Sequence, residues 1–222
     1  MVKDASEVLG IQAQETIDNL IMNTIAAGTN VVYGDGSVST RATVASTMVL
    51  TTKLVSRAVR FLERNNVKKF TSPVGMINKA YALVAHPDTL NDLRADVNFI
   101  NAVNYSSPDP KNPDRGDLFT GELGYWMGAR IVSSTAAPVF AGAGASGATV
   151  YGVLVFGDGA YAVSELEGGI ETFIHTGGVQ SLTDPLEQYS TVGWKWTGAA
   201  AILDNNRIVR LEVGASLSSS NA

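Results

Sequence analysis

Apolar residues recur every three or four positions in two parts of the chain and alternate with polar ones in several others. Ile17, Leu20, Ile21 and Ile25 share one face of a helix predicted over 6–27. Ser6 or Asp4 caps it and Gly28 supplies its stop. A second helix is predicted over 51–66. Leu54, Val55, Ala58, Val59 and Leu62 make its apolar face, Thr51 or Thr52 its cap, and the Asn65-Asn66 pair its end. Between them, 29–50 is rich in Thr, Val, Ser and Gly and centres on Gly34-Asp35-Gly36. It reads as an extended hairpin or long loop, with Val31 and Tyr33 on one arm and Thr43, Met48 and Leu50 on the other.

Residues 79–86 alternate as a buried strand ending at His86-Pro87-Asp88, where a helix starts and runs to about Ile100. Pro108, Pro110 and Pro113 mark 106–117 as a surface loop. Residues 118–134 read as a Gly-punctuated loop entering a strand at Ala129–Ser133. The Ala/Gly/Ser run 136–149 reads as a mobile loop or tip. An apolar run at 150–156 is a buried strand. A short helix is expected over 159–166, a strand over 170–175, and two long strands over 190–214 around Asp204-Asn205-Asn206. Residues 217–222 are expected to fray. Helices and strands mix without βαβ regularity, so the predicted fold class is α+β.

Composition narrows what such a fold does. The 222 residues suffice for one large domain or two small ones with a real core. Only 17% are charged, against the roughly 25% usual for a free globular domain. The net charge of −5 argues against nucleic-acid binding by bulk electrostatics. There is no cysteine, which excludes disulfides, thiolate catalysis and Cys-type zinc sites. Lys3, Asp4 and Glu7 give the start of the chain no signal-peptide character. The charge-free stretch Ile131 to Gly157 is broken by Pro138 and several Gly and Ser residues, so no membrane span is expected.

Candidate chemistry is sparse. His86 and Asp88 have the types for an acid–base pair or two metal ligands. They flank Pro87 directly after a strand, however, where a helix start with Asp88 against the helix dipole is the better reading. His175, beside Gly177-Gly178, reads as structural or exposed. Gly121, Gly124 and Gly128 lack the strand-to-helix context of a phosphate loop, and Gly144-Ala145-Ser146-Gly147 lacks that of a nucleophile elbow. Glu15, Asp18, Glu63, Glu122 and Glu165 cannot be paired by sequence alone. No catalytic residue, cofactor or metal site is therefore assigned. One charge pattern does stand out. Lys53, Arg57, Arg60 and Arg64, at spacings of four, three and four, share one stripe of the second helix, and Lys68 and Lys69 extend it. Segment 51–70 holds six cations against one anion, Glu63. Such a stripe faces a polyanion, an acidic neighbouring subunit or plain solvent.

Several strings, in order along the chain, resemble the major capsid proteins of tailed bacteriophages, in the subfamily typified by the N-four podovirus coat protein. They are Gln14-Glu15-Thr16-Ile17-Asp18, Ala27-Gly28-Thr29-Asn30-Val31, Ala58-Val59-Arg60-Phe61-Leu62 and Val84-Ala85-His86-Pro87-Asp88 with Asp92-Leu93. Phe119-Thr120-Gly121-Glu122-Leu123-Gly124 with Gly128-Ala129-Arg130, Tyr151 to Gly157 with Ala160-Tyr161, and Asp184-Pro185-Leu186 follow. The series closes on Val192-Gly193-Trp194-Lys195 and Ile208-Val209-Arg210-Leu211-Glu212. The resemblance implies an α+β, Hong Kong 97-like capsid fold. Its implied layout is an N-terminal helix or arm at 1–28, an E-loop at 29–50, and a peripheral domain with the spine helix at 51–135. An axial domain at 136–185 and C-terminal strands returning to the peripheral domain at 186–222 complete it.

It also implies a function: a structural, non-enzymatic coat protein of the virion, assembled in the host cytoplasm as hexamers and pentamers into an icosahedral shell around double-stranded DNA. Portal, scaffold and decoration proteins would be partners. Val31, Tyr33, Arg41 and Met48 become candidate E-loop contacts to a neighbour, and the basic stripe an inner-face or inter-subunit surface. Some relatives crosslink through a Lys and an Asn; 29–50 holds no Lys, so no such bond is expected from it. The other readings are an encapsulin-type nanocompartment shell and, less favoured, a hydrolase or metal enzyme using His86 and Asp88.

Overall fold

The computed structural model describes residues 2–70, 79–100, 122–175 and 190–217. The proline-rich loop expected at 106–117 and most of the tail expected to fray lie outside the described residues. The chain divides into two compact units. One combines Met1–Ile21 with Ala162–Ala201, the other Met22–Tyr161 with Ile202–Ala222.

The larger unit is built on a seven-stranded mixed sheet in the order β1-β9-β6-β2-β4-β3, with β5 added to β6. The strands are β1 (Val31–Tyr33), β2 (Tyr81–Ala85), β3 (Glu122–Trp126), β4 (Ala129–Ser133), β5 (Val139–Phe140), β6 (Val150–Phe156) and β9 (Ile208–Val213). Their side chains alternate across the sheet. Tyr81, Leu83 and Ala85, Val153 and Val155, and Val209, Leu211 and Val213 belong to one buried cluster. The helix α2 (Thr52–Arg64) lies over β9 and β6 and sends Leu54, Val55, Ala58, Val59 and Leu62 into that cluster. Its period is the one the sequence shows. Every residue of β6 is buried, as its unbroken apolar run demands.

Helix α3 (Pro87–Ala95) starts where Pro87 predicts and breaks at Asp96, and helical backbone resumes over residues 97–100, so the expected reach to about Ile100 holds with one interruption. Asp96 takes an extended conformation there, and its carboxylate is used elsewhere. Oδ2 accepts the backbone N–H of Thr52 at 2.9 Å and its hydroxyl at 2.8 Å, capping α2 from a distance, while Oδ1 accepts the N–H of Asn98 at 3.0 Å. Burial pushes the Asp96 carboxyl up, but these hydrogen bonds outweigh it and hold it below the ordinary 3.8. A carboxylate depressed in the folded state stabilises above its unfolded pKa and loses that contribution as pH falls through the folded value. Asp96→Asn should therefore cost about 1 kcal/mol at neutral pH, the usual worth of a cap. It should also flatten the acid limb of stability below about pH 4, read by urea titration across pH. An unchanged acid limb would show that Asp96 does not matter there.

Four sequence expectations change in this unit. Residues 122–126 form strand β3, not loop. It pairs antiparallel with β4 around a two-residue turn, Met127 (φ 42°) and Gly128 (φ 92°), which suits the twist of a hairpin. The Ala/Gly/Ser run 136–149 is tied down rather than mobile. Val139 and Phe140 pair with Tyr151 and Val150, and the Ala145 N–H donates to the Val44 carbonyl at 2.9 Å. A Cβ at Gly144 would come within 2.6 Å of that same carbonyl oxygen, so the close approach needs glycine. The two C-terminal strands around 204–206 exist, but they do not pair with each other. β9 enters this sheet, and its predecessor joins a different one.

Segment 29–50 makes the fourth change. It folds back instead of extending. β1 runs parallel to β9, with Val31 opposite Arg210 and Tyr33 opposite Glu212. Val44 and Leu50 are fully buried. The Arg41 guanidinium grips Glu212 through two bonds of 2.7 Å and stacks 3.5 Å from the Phe140 ring centroid.

The smaller unit holds most of α1 (Val2–Ala26) and a two-stranded ribbon of β7 (Tyr161–His175) and β8 (Thr191–Ile202). The short helix expected over 159–166 is instead the start of β7. Val192, Trp194, Trp196, Ala200 and Ile202 of β8 are half-buried on one face, and Thr191, Lys195, Thr197, Ala199 and Ala201 are exposed on the other. Val163, Ile170, Phe173 and Ile174 of β7 are exposed. The last turn of α1 enters the larger unit, where Ile25 and Ala26 are buried.

Candidate assembly surface

The amphipathicity that buries one side of α2 turns the other outward. Lys53, Arg57, Arg60 and Arg64 are all exposed there, as their spacing predicts, within a stripe about 60° wide and about 17 Å long. The N-terminal half lies beside the 34–37 turn. The positive charge of Lys53 lowers the Asp35 pKa, though the hydrogen bonds from Ser37 do so more. The Arg57 guanidinium covers Gly36, where a Cβ would collide with it. Arg60 and Arg64 make no ion pair among the described residues.

The two lysines expected to extend the stripe part company. Lys69 turns back to Glu63 at 2.9 Å and sits 5.2 Å from the Tyr81 ring centroid. Lys68 is exposed and, with Val67, Lys69, Lys79 and Asp158, lines an open cavity of about 610 Å³. The four candidate E-loop residues are all occupied within the larger unit. Val31 and Tyr33 pair with β9, Arg41 binds Glu212, and the Met48 carbonyl accepts the Gly214 N–H at 2.9 Å.

Two clusters went unread in the sequence. The first is Arg41–Glu212–Arg210, in which Glu212 also accepts the Arg210 Nε at 2.8 Å while its side chain is 0% exposed. Arg210 and Glu212 lie two apart on β9 and so share a face, which was the available signal; the Arg41 partner gave none. The second is on α1. Asp4, Glu7, Glu15 and Asp18 are exposed and fall within about 80° of one another around the helix. The spacing of three, eight and three was the signal. His86 and Asp88 form a helix start. The Asp88 N–H donates to His86 Nδ1 at 3.3 Å, and Tyr151 donates its hydroxyl proton to Asp88 Oδ2 at 2.7 Å. Among the described residues no three His, Cys, Asp or Glu side chains come together to hold a metal ion, and no helix is long and apolar enough to cross a membrane.

The described residues thus comprise a mixed sheet with a basic helix on one face and a separate helix-and-ribbon unit. A family model for phage capsid proteins matches residues 1–210. The chain belongs to the phage capsid protein family. Its fold agrees. The capsid of Ralstonia phage GP4 superposes with a TM-score of 0.70 at 18% identity, covering 98% of this chain and 68% of the other. The cyanophage Pam1 capsid asymmetric unit gives 0.67 at 14% identity, covering 97% and 68%. The holo-SrpI encapsulin of Synechococcus elongatus gives 0.57 at 12% identity, covering 98% and 67%. No match was found among curated proteins. This phage capsid protein is thus a major capsid protein with the α+β, Hong Kong 97-like fold that its ordered strings imply, and the encapsulin shares only that fold.

Proposed function

We propose that this capsid protein assembles as hexamers and pentamers into an icosahedral shell enclosing double-stranded DNA, and that it does so without enzymatic activity. The family match over residues 1–210 carries the reading. The low share of charged residues supports it, since interface cores are depleted of charge and such a subunit gives much of its surface to neighbours. The reaching element in this reading is the β7–β8 ribbon, not 29–50. At 12 to 15 residues it extends about 40–50 Å, and it carries exposed Ile170, Phe173 and Ile174. Assembly in the host cytoplasm, with portal, scaffold and decoration proteins at the shell, completes the proposal.

Likeness to an encapsulin makes a cargo-filled compartment the second reading. Electron microscopy of purified particles, with nuclease protection of their contents, separates the two. Closed shells holding nuclease-resistant DNA are expected. Shells filled with protein and free of DNA would replace the viral reading with the compartment, and a chain that stays monomeric at assembly concentrations would overturn both.

A further inference from the structure

We infer that the basic face of α2 in one copy docks on the acidic face of α1 in a neighbouring copy. The two faces match in form and oppose in charge. The acidic stripe, Asp4 to Asp18, spans about 21 Å of helix, and the basic stripe, Lys53 to Arg64, about 17 Å. All eight side chains are exposed, so neither stripe is buried within its own chain. Glu7, Glu15 and Asp18 on one side, and Arg60 and Arg64 on the other, have no ion-pair partner among the described residues.

The asymmetry extends to the whole units. The α1-and-ribbon unit carries nine acidic and two basic residues, net −7, and the sheet unit fourteen basic and twelve acidic, net +2. Fields of opposite sign steer such surfaces together and fix their register. The acidic stripe also contains apolar surface. Ile11 lies inside it and Val8 beside it, 56% and 67% exposed. An apolar centre ringed by charge is the build of a protein–protein interface. A polyanion would use the cations of α2 but leave the carboxylates and apolar side chains of α1 without purpose. Because the two faces differ, the contact is head-to-tail, the kind that closes into rings when the rotation allows.

This inference rests on the shell-forming reading, and the test keeps the two apart. Two variants are made, Glu15→Arg with Asp18→Arg, and Arg60→Glu with Arg64→Glu. Circular dichroism checks their folding, and light scattering with electron microscopy reads their association. Each alone should lose association about tenfold or more, the effect of 1.4 kcal/mol per contact. Combining all four changes in one chain should restore it, and so should mixing the two variants, since each then finds its opposite in the other.

Normal association of the α1 variant overturns the inference. So does rescue in the combined chain without rescue in the mixture, which means a contact within one chain. Shells that form normally from the α2 variant but lose their DNA assign the face to nucleic acid instead. A wild-type chain that fails to associate overturns the shell-forming reading itself. If a reversal unfolds the subunit, Glu15→Gln with Asp18→Asn and Arg60→Gln with Arg64→Gln are run in the same way. Association equal to wild type then overturns the inference.

Discussion

Glu212→Gln should destabilise the isolated subunit by about 3 kcal/mol, the low end of what removing one partner of a buried ion pair costs. The Glu212 side chain is 0% exposed, and its two oxygens receive three charged hydrogen bonds, two from Arg41 at 2.7 Å and one from Arg210 at 2.8 Å. Gln offers one oxygen, and it turns an amide N–H₂ toward a guanidinium. The Arg210 side chain, only 11% exposed, would keep its charge with little water to solvate it. Arg41 is 33% exposed and recovers part of its loss in solvent, which sets the low end. Its hydrogen bond to Glu212 also raises the Arg41 pKa against the opposing effect of burial. Arg41→Ala should cost less than Glu212→Gln, because Glu212 retains Arg210. Urea unfolding of both variants checks the order; a Glu212→Gln change within about 0.5 kcal/mol of wild type would show that the cluster is not what pins segment 34–48 to β9.

Leu62→Ala is the second large effect, about 3 kcal/mol, within the 2–5 kcal/mol range for emptying a buried leucine site. Leu62 is 0% exposed and lies in one row with Leu54 and Ala58, with the Val55–Val59 pair alongside, all in the cluster under α2. Helix and sheet meet through these side chains, so the cavity can close only if α2 tilts, and the outward cations would move with it. Leu62→Met, which keeps the volume, should cost less than about 1.5 kcal/mol. Equal losses for Ala and Met would mean that shape rather than volume decides the site.

How much of this was legible depended on whether the signal was local. α2 read correctly because five apolar and four basic positions at helical spacing oppose each other on the same 13 residues. β6 read correctly because seven unbroken residues bury on both faces. β7 was misread in part because Tyr161 to Leu166 is a strand only by virtue of pairing with β8, some thirty residues on. Segment 29–50 read as an extended hairpin or long loop from its composition, whereas what holds it, Glu212, lies 171 residues from Arg41. The same limit divides the candidate surface. The α2 stripe was visible as a pattern, but the turning of Lys69 toward Glu63 and Tyr81 depends on the path of the chain after the helix ends.

The ribbon has a thermodynamic consequence. Two strands alone are marginal in water, and β7 and β8 have no third strand among the described residues. In the proposed shell, packing against neighbouring copies would add to the stability of this ribbon, and its order would become a function of concentration. A dilute subunit would then lack that added stability, and the ribbon would firm as copies accumulate. Growth of the proposed shell would then be self-reinforcing, since each arrival finds a partner better prepared than the one before.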